Sequence, residues 1–346
     1  MVSRRGSQSG AAQFGGRFAH GRESAAAFAA RLRAEVGQAG WFLREHRDAS
    51  VRTKALAAHR GISLPHLPPR RRRVGEVWGV TMVRDEVDIL DATLDHLFSQ
   101  GVDHLLVSDN RSVDGTLELL RQRAARDRRL HLAIDREPAY YQGEKMSRLV
   151  RAASRAGADW VIPFDADEFW FARDETVAAY LRRIAMESPD AGIVSAAFHH
   201  MVPVSDAPHD WPETEFVLDS TPAVPGKVAV RGHVLAGVHV GNHFAMRVGS
   251  RHTGLFIAHA VFRSPEQVAR KVRQGAAAVM LTDPGDEIAP YWRAGSALDD
   301  AGILRVWERM RQGLPEPQFG VPAIGPMHRV RPIQWERWRL FDPPAR

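Results

Sequence analysis

At 346 residues the chain can bury a sizeable core and hold one large domain or two smaller ones. It contains no cysteine, which excludes a disulfide framework, a thiolate nucleophile and a zinc–thiolate site. The net charge of +6 is unevenly placed: residues 1–73 carry 15 Lys/Arg against 4 Asp/Glu, leaving 32 against 37 over residues 74–346. The basicity is therefore a property of the N-terminal region and not of the body.

Residues 1–22 are rich in Gly, Ser, Gln and Arg and read as disordered. Over residues 23–60, Phe28, Leu32 and Val36 recur at helical spacing. Pro65, Pro68 and Pro69 break that pattern ahead of Arg70–Arg73, and a boundary is expected near residue 74. The basic N-terminal extension (1–73) could touch an anionic membrane peripherally, or could be a solvated tail; nucleic acid is not an expected partner. No run of about 18 apolar residues reads as a membrane span. No apolar stretch follows the basic start, so no secretory signal is read there. A cytoplasmic location, with membrane contact at most peripheral, is the expectation.

From residue 74 strands and helices alternate. Val77–Val83 reads as a strand, and Val87–Ser99 as a helix with Leu90, Leu94, Leu97 and Phe98 on one face. A strand follows at His104–Ser108, a helix at Asp114–Arg123, a short strand at Leu132–Ile134, a helix at Lys145–Ala156 and a strand at Trp160–Phe164. This order predicts an α/β, doubly wound, mainly parallel sheet with helices on both faces, and ligands at the carboxyl ends of the strands. Asp174–Glu187 continues as a helix. Beyond it, Ile193–Phe198, Lys227–Arg231, Leu235–Val240 and Leu255–Ala260 read as short strands around a Pro/Asp/Trp-rich loop at 203–225. Ser264-Pro265-Glu266-Gln267 has the signature of a helix start, with the helix expected to run to about Leu281. A last helix is expected over 297–312, the body over 74–314, and an irregular tail over 315–346.

Chemistry concentrates at strand ends. The apolar run Trp160–Phe164 ends in Asp165-Ala166-Asp167-Glu168. If strand geometry persists, Asp165 and Asp167 point the same way. Paired carboxylates there suit a hard divalent cation, Mn²⁺ or Mg²⁺, which could neutralise a departing diphosphate; an exposed acidic turn is the plain alternative. Asp109, ending another strand, could accept hydrogen bonds from a nucleoside, while Ser112 or Asp114 could simply cap the next helix. Arg84, at the end of the first strand, could reach a phosphate or pair with Asp85 or Glu86. Gln142-Gly143-Glu144-Lys145 opens a helix, where phosphate is attracted, or Lys145 could simply face solvent. Histidines crowd the second half (His199, His200, His233, His239, His243, His252 and His259), and one neutral imidazole could complete a carboxylate metal site.

Together these residues resemble the family-2-like glycosyltransferases of GT-A fold, in particular the bacterial "glycosyl transferase family 2" group related to family 92. That group's R-N-E-x-x-x-L block reads Arg84-Asp85-Glu86-Val87-Asp88-Ile89-Leu90, with Asp in place of Asn. Its D-N-x-S-x-D-G-T block is complete from Asp109 to Thr116, and its W-x-x-x-x-D-x-D-E-F block from Trp160 to Phe169. Val240-Gly241-Asn242-His243 and His259-Ala260-Val261-Phe262-Arg263-Ser264 are similar to its G-N-H and H-Y-x-x-R-S blocks, without the tyrosine. The likeness spans about residues 77–275.

The resemblance implies a nucleotide-sugar donor, with a UDP-sugar as the first candidate, and a carbohydrate or glycoconjugate acceptor. It implies donor contacts from Val83, Arg84, Glu86, Asp109, Lys145, Asp165 and Ala166. It implies metal ligands among Asp165, Asp167, His243 and His259, Asp167 being the firmest. Inversion is the group's tendency and needs one general base beside the acceptor hydroxyl; Asp206, Asp210 and Glu213 in the 203–225 loop are the candidates. Trp211 could stack on a sugar or anchor the loop. Two other classes compete. A haloacid-dehalogenase-like phosphatase also places D-x-D after a strand, but Phe169 stands where that family has Thr or Val. A non-catalytic sugar-nucleotide-binding module would bind donor without transfer.

Overall fold

The computed structural model describes residues 25–67, 69–205, 210–282, 290–316, 319 and 325–340. The stretch read as disordered and Asp206 lie outside them. Four strands run parallel in the order β4 (Leu130–Asp135), β3 (His104–Asp109), β2 (Val77–Val83), β5 (Trp160–Pro163). Their side chains alternate between two cores, as period-two geometry requires. Val77, Leu105, Val107, Trp160 and Ile162 face the core that contains Leu90, Leu94 and Leu97 of α3 (Leu90–Ser99), Leu120 of α4 (Thr116–Arg126) and Val177, Leu181 and Ile184 of α6 (Val177–Glu187). Trp78, Val80, Leu106 and Val161 face Met146, Leu149, Val150 and Ala153 of α5 (Gln142–Ala156). Helices thus cover both faces of a doubly wound α/β sheet. Gly79 keeps β2 close to its neighbours: a Cβ there would meet Leu105 Cδ2 at 2.5 Å.

The sheet then changes character. β9 (Ala223–Arg231) joins β5 antiparallel and carries β7 (Ala191–Pro203), β12 (Ser250–His259) and β6 (Glu168–Ala172). β7 and β12 are parallel, and β12 and β6 antiparallel. β8 (Phe216–Asp219) pairs with β7 and with β13 (Met327–Val330), so the segment read as an irregular tail supplies a strand, and Trp338 is fully buried. The strand expected at Leu235–Val240 is only β10 (Gly237–Val238), paired with β11 (Ala245–Met246). α7 (Pro265–Met280) begins as expected, with Ser264 accepting from the Gln267 amide. It packs with α8 (Pro290–Ser296) and α9 (Asp300–Arg311) around Trp292, Trp307 and Phe319.

The N-terminal helices are docked on this body. β1 (Ile62–Ser63), after α1 (Ala25–Glu45) and α2 (Ala49–Gly61), adds an antiparallel edge to β4. Gln38 of α1 is fully buried; its amide donates to the Leu235 and Met246 carbonyls at 3.0 and 2.9 Å and accepts from the Val248 amide at 2.9 Å. Gln38→Ala would strand those backbone groups, at about 1–3 kcal/mol. A lowered urea midpoint with an unchanged slope is expected; a shift under about 0.5 kcal/mol would show that this contact does not hold α1 down.

Candidate active site at the carboxyl ends of the parallel strands

A cavity of about 400 Å³ opens where β2, β3 and β5 end. That is the ligand position of an open wound sheet and a volume suited to a small molecule. Three walls meet there: the β2 loop (Met82–Glu86) with Asn110; Asp165–Asp167 with Phe198, His200, Lys227, His243 and His259; and one face of α7 with Tyr140, Tyr291 and Trp292.

Strand geometry does not persist into the acidic pair. β5 stops at Pro163, and the Glu168 amide returns to the Asp165 carbonyl at 3.1 Å, closing a turn. Asp165 and Asp167 both line the cavity, but with different partners. Asp165 Oδ2 meets Lys227 Nζ at 2.7 Å, and its Oδ1 accepts from Asn242 Nδ2 at 3.1 Å. Lys227 also lies 2.9 Å from Glu168. Burial would push the Lys227 ammonium down, but Asp165 and Glu168 outweigh it and hold the group above the usual lysine range. Asp167 is buried, with Lys271 Nζ 2.5 Å from Oδ2, His259 Nε2 3.3 Å from Oδ1 and Arg263 Nη1 at 3.6 Å. Burial would raise its pKa; Lys271, His259 and Arg263 override that and hold it well below the usual carboxylate range.

Arg263 ties this pair to the β2 loop. Its guanidinium is 1% exposed, reaches Asp88 at 2.7 and 3.0 Å and the Ala260 carbonyl at 3.1 Å, and contacts Glu86. Burial raises the Glu86 pKa, with Arg263 and Lys271 opposing it. Asp85, at φ 54°, stitches the loops: Ser112 Oγ accepts from its amide, its Oδ1 accepts from the Val113 amide at 2.7 Å, and its Oδ2 accepts from Gln274 at 2.8 Å. An aspartate tolerates that left-handed backbone better than most residues.

The other sequence-predicted residues divide. Val83, Arg84, Glu86 and Ala166 line the cavity. Asp109 is buried behind it; Oδ2 accepts from the Ser112 amide at 3.3 Å, Oδ1 has no protein partner, and burial raises its pKa. Lys145 touches the cavity, but its ammonium is engaged by Asp135 at 2.8 Å and the Glu137 carbonyl at 2.7 Å. His243 reaches the Gly226 carbonyl through Nδ1 at 2.9 Å, and burial lowers its pKa. Asp210 and Glu213 are exposed and outside the cavity lining; Glu213 accepts from Gln334 at 2.9 Å. Trp211 is buried, and its indole donates to the Asp88 carbonyl at 2.5 Å, as an anchor does.

Lys227, Lys271, Arg270, Gln274 and the aromatic wall were not anticipated from sequence. One signal was present: Gln267, Arg270, Lys271, Gln274, Gly275 and Ala278 recur at helical spacing, marking a polar inward face of α7. Among the described residues, no three carboxylate or imidazole groups converge as a metal cage. Asp167 and His259 do face each other, and the Nδ1 atoms of His259 and His200 are buried without partners. Such a pair could hold one divalent ion whose other ligands come from water and a diphosphate, the usual manner for Mg²⁺.

A family model described as glycosyl transferase family 2 matches residues 80–210. No curated protein shows a significant sequence match to the chain. Among solved structures, TarS 1–349 of S. aureus is similar at 10% identity over 68% of this chain and 73% of its own, with a TM-score of 0.33. A mannosyltransferase of Pyrobaculum calidifontis, PcManGT, in complex with GDP-Man and Mn²⁺, is similar at 17% identity over 84% and 92%, with a TM-score of 0.37. HddC of Yersinia pseudotuberculosis is similar at 14% identity over 53% and 76%, with a TM-score of 0.27. Those scores are too low for a shared donor or metal to rest on. The β2 loop, Asp109 and the acidic turn all fall inside the glycosyl transferase family 2 match, which supports glycosyl transfer as the class of chemistry at this cavity.

Proposed function

We propose that the protein transfers a sugar from a nucleoside-diphosphate sugar to an acceptor hydroxyl, with a divalent cation held by Asp167 and His259. The observation that carries the reading is the meeting of the acidic turn, a polar helix face and the loop after β2 in one cavity at the strand ends. The nucleoside is assigned to the side lined by Val83, Arg84, Asp85 and Asn110, with Asp109 behind. The diphosphate is assigned to the Asp165–Asp167 side, within reach of Lys271 and Arg270. When bound, the cation supplies Lewis-acid stabilisation of the leaving diphosphate. Asp167 stays ionised because its cationic neighbours hold it so, and Lys227 with Asn242 fixes Asp165. Tyr140 and Trp292, 4.9 Å apart edge to face, offer an aromatic surface for a sugar or base.

A UDP-sugar is the first donor to test, and Mn²⁺ the first ion, since the ligand pair mixes oxygen with imidazole nitrogen. The acceptor is assigned to the carbohydrate or glycoconjugate class. The relation to family 92 is part of this proposal and rests on the blocks from Arg84–Leu90 to His259–Ser264 taken together. Inversion would take its base from the 203–225 segment; Asp210 and Glu213 do not line the cavity, which directs the test first to Asp206. A cytoplasmic location with peripheral membrane contact through the basic N-terminal region remains part of the proposal. No helix among the described residues is long and apolar enough to cross a membrane.

Thermal melts with UDP- and GDP-sugars, each with and without Mn²⁺, test the reading. A ligand at about 100 times its Kd stabilises the folded state by about 2.7 kcal/mol, a rise of several degrees. At least one nucleotide sugar should give that rise, larger with the metal. If none moves the midpoint, the reading fails; hydrolysis of simple phosphate esters would favour a phosphatase instead.

A further inference from the structure

The three cations around the acidic turn are not held alike. Arg263 is 1% exposed and has four acceptor contacts on Glu86, Asp88 and Ala260. Lys227 is 4% exposed and bridges Asp165 and Glu168. Both are structural, since moving either would strand two carboxylates. Lys271 grips one carboxylate oxygen, Asp167 Oδ2, and among the described residues otherwise meets only the Val261 carbonyl at 3.3 Å; its side chain is 19% exposed and faces the cavity from α7. Its flexible four-carbon stem lets the ammonium move without disturbing the helix.

The ammonium already neutralises the carboxylate that a cation at Asp167 would need, from the oxygen beside the one that faces His259. A divalent ion entering there adds to the positive charge that Lys271 and Arg263 already set against Asp167. A diphosphate changes this balance, because it brings oxygen ligands for the ion and anionic acceptors for the displaced ammonium. Resting on the donor reading above, the geometry points to a latch: Lys271 closes Asp167 to divalent metal until a nucleoside diphosphate draws its ammonium away, so that metal and nucleotide bind together and each binds poorly alone.

The test is Mn²⁺ binding by the full chain, read from the electron-paramagnetic-resonance signal of free Mn²⁺, with and without saturating UDP or GDP. The nucleotide should tighten the wild-type Mn²⁺ Kd by about tenfold or more, and Mn²⁺ should tighten nucleotide binding by the same factor, because the coupling is reciprocal. In Lys271→Met, Mn²⁺ alone should bind about tenfold tighter than to wild type, and the coupling should shrink. Lys271→Gln, which keeps a polar group at the site, serves if the methionine variant does not fold; both are checked by melting. Equal Mn²⁺ affinity with and without a nucleotide that does bind, or folded variants no tighter for Mn²⁺ than wild type, would overturn the latch alone. Failure of every nucleoside diphosphate to bind would overturn the donor reading with it.

Discussion

Asp167→Asn should lower kcat/KM for sugar transfer by about a thousandfold, the scale on which losing a preorganised charge-stabilising element slows group transfer. The amide keeps the side chain's shape but removes the charge that Lys271, His259 and Arg263 surround. Lys271 keeps the Val261 carbonyl and Arg263 keeps Ala260, Glu86 and Asp88, so the fold should survive with a loss of about 1–3 kcal/mol. Transfer is measured with whichever nucleotide sugar stabilises the protein most, and the fold by thermal melting. A variant within a few-fold of wild type, or a wild type fully active in chelator, would remove Asp167 and the metal from the mechanism.

The largest stability effect is expected at Arg263. Its guanidinium is the buried counter-charge for Glu86 and Asp88, and Arg263→Met leaves both without it, at about 3–5 kcal/mol. That is a large share of the 5–15 kcal/mol typical of a folded domain. The deficit should depend on pH. Burial already raises the Glu86 pKa above its ordinary 4.5, so the folded state holds that proton more tightly than the unfolded chain. Stability from such a group is present below about pH 4.5 and is lost as pH rises through the folded value. Without Arg263 the folded value climbs further and the window widens upward. Urea midpoints of variant and wild type should therefore differ more at pH 8 than at pH 5. A deficit that is equal at both, or below about 1 kcal/mol, would show that the arginine is not the counter-charge of this network.

The acidic turn shows where linear reading stops. An apolar run ending in two aspartates is visible along the chain, and it lies at the cavity. Strand alternation predicts a shared direction for them, yet β5 ends two residues before Asp165, and the pair is divided between Lys227 and Lys271. Nothing local to residues 160–169 announces a lysine 62 positions away on β9 or another 104 positions away on α7. Lys145 shows the converse. A lysine at a helix start suggests phosphate binding, but a buried aspartate at the end of β4 engages it. Gln38 is a third case: a polar residue within the basic N-terminal region gave no sign that it would be buried against residues 235–248.

Alternating apolar runs, helix caps and turn residues act over a few positions, so the wound α/β order, the start of α7, and the placing of Asp109 at a strand end and of Asp165 and Asp167 just past one could all be read along the chain. Which cation neutralises which carboxylate, which imidazole meets Asp167 and which aromatic rings wall the cavity depend on contacts across 60 to 180 positions. Those contacts exist only once the sheet has brought β9, β12 and α7 around the ends of β2 and β5, because an ion pair is a matter of a few ångströms in space and leaves no periodic mark on the sequence.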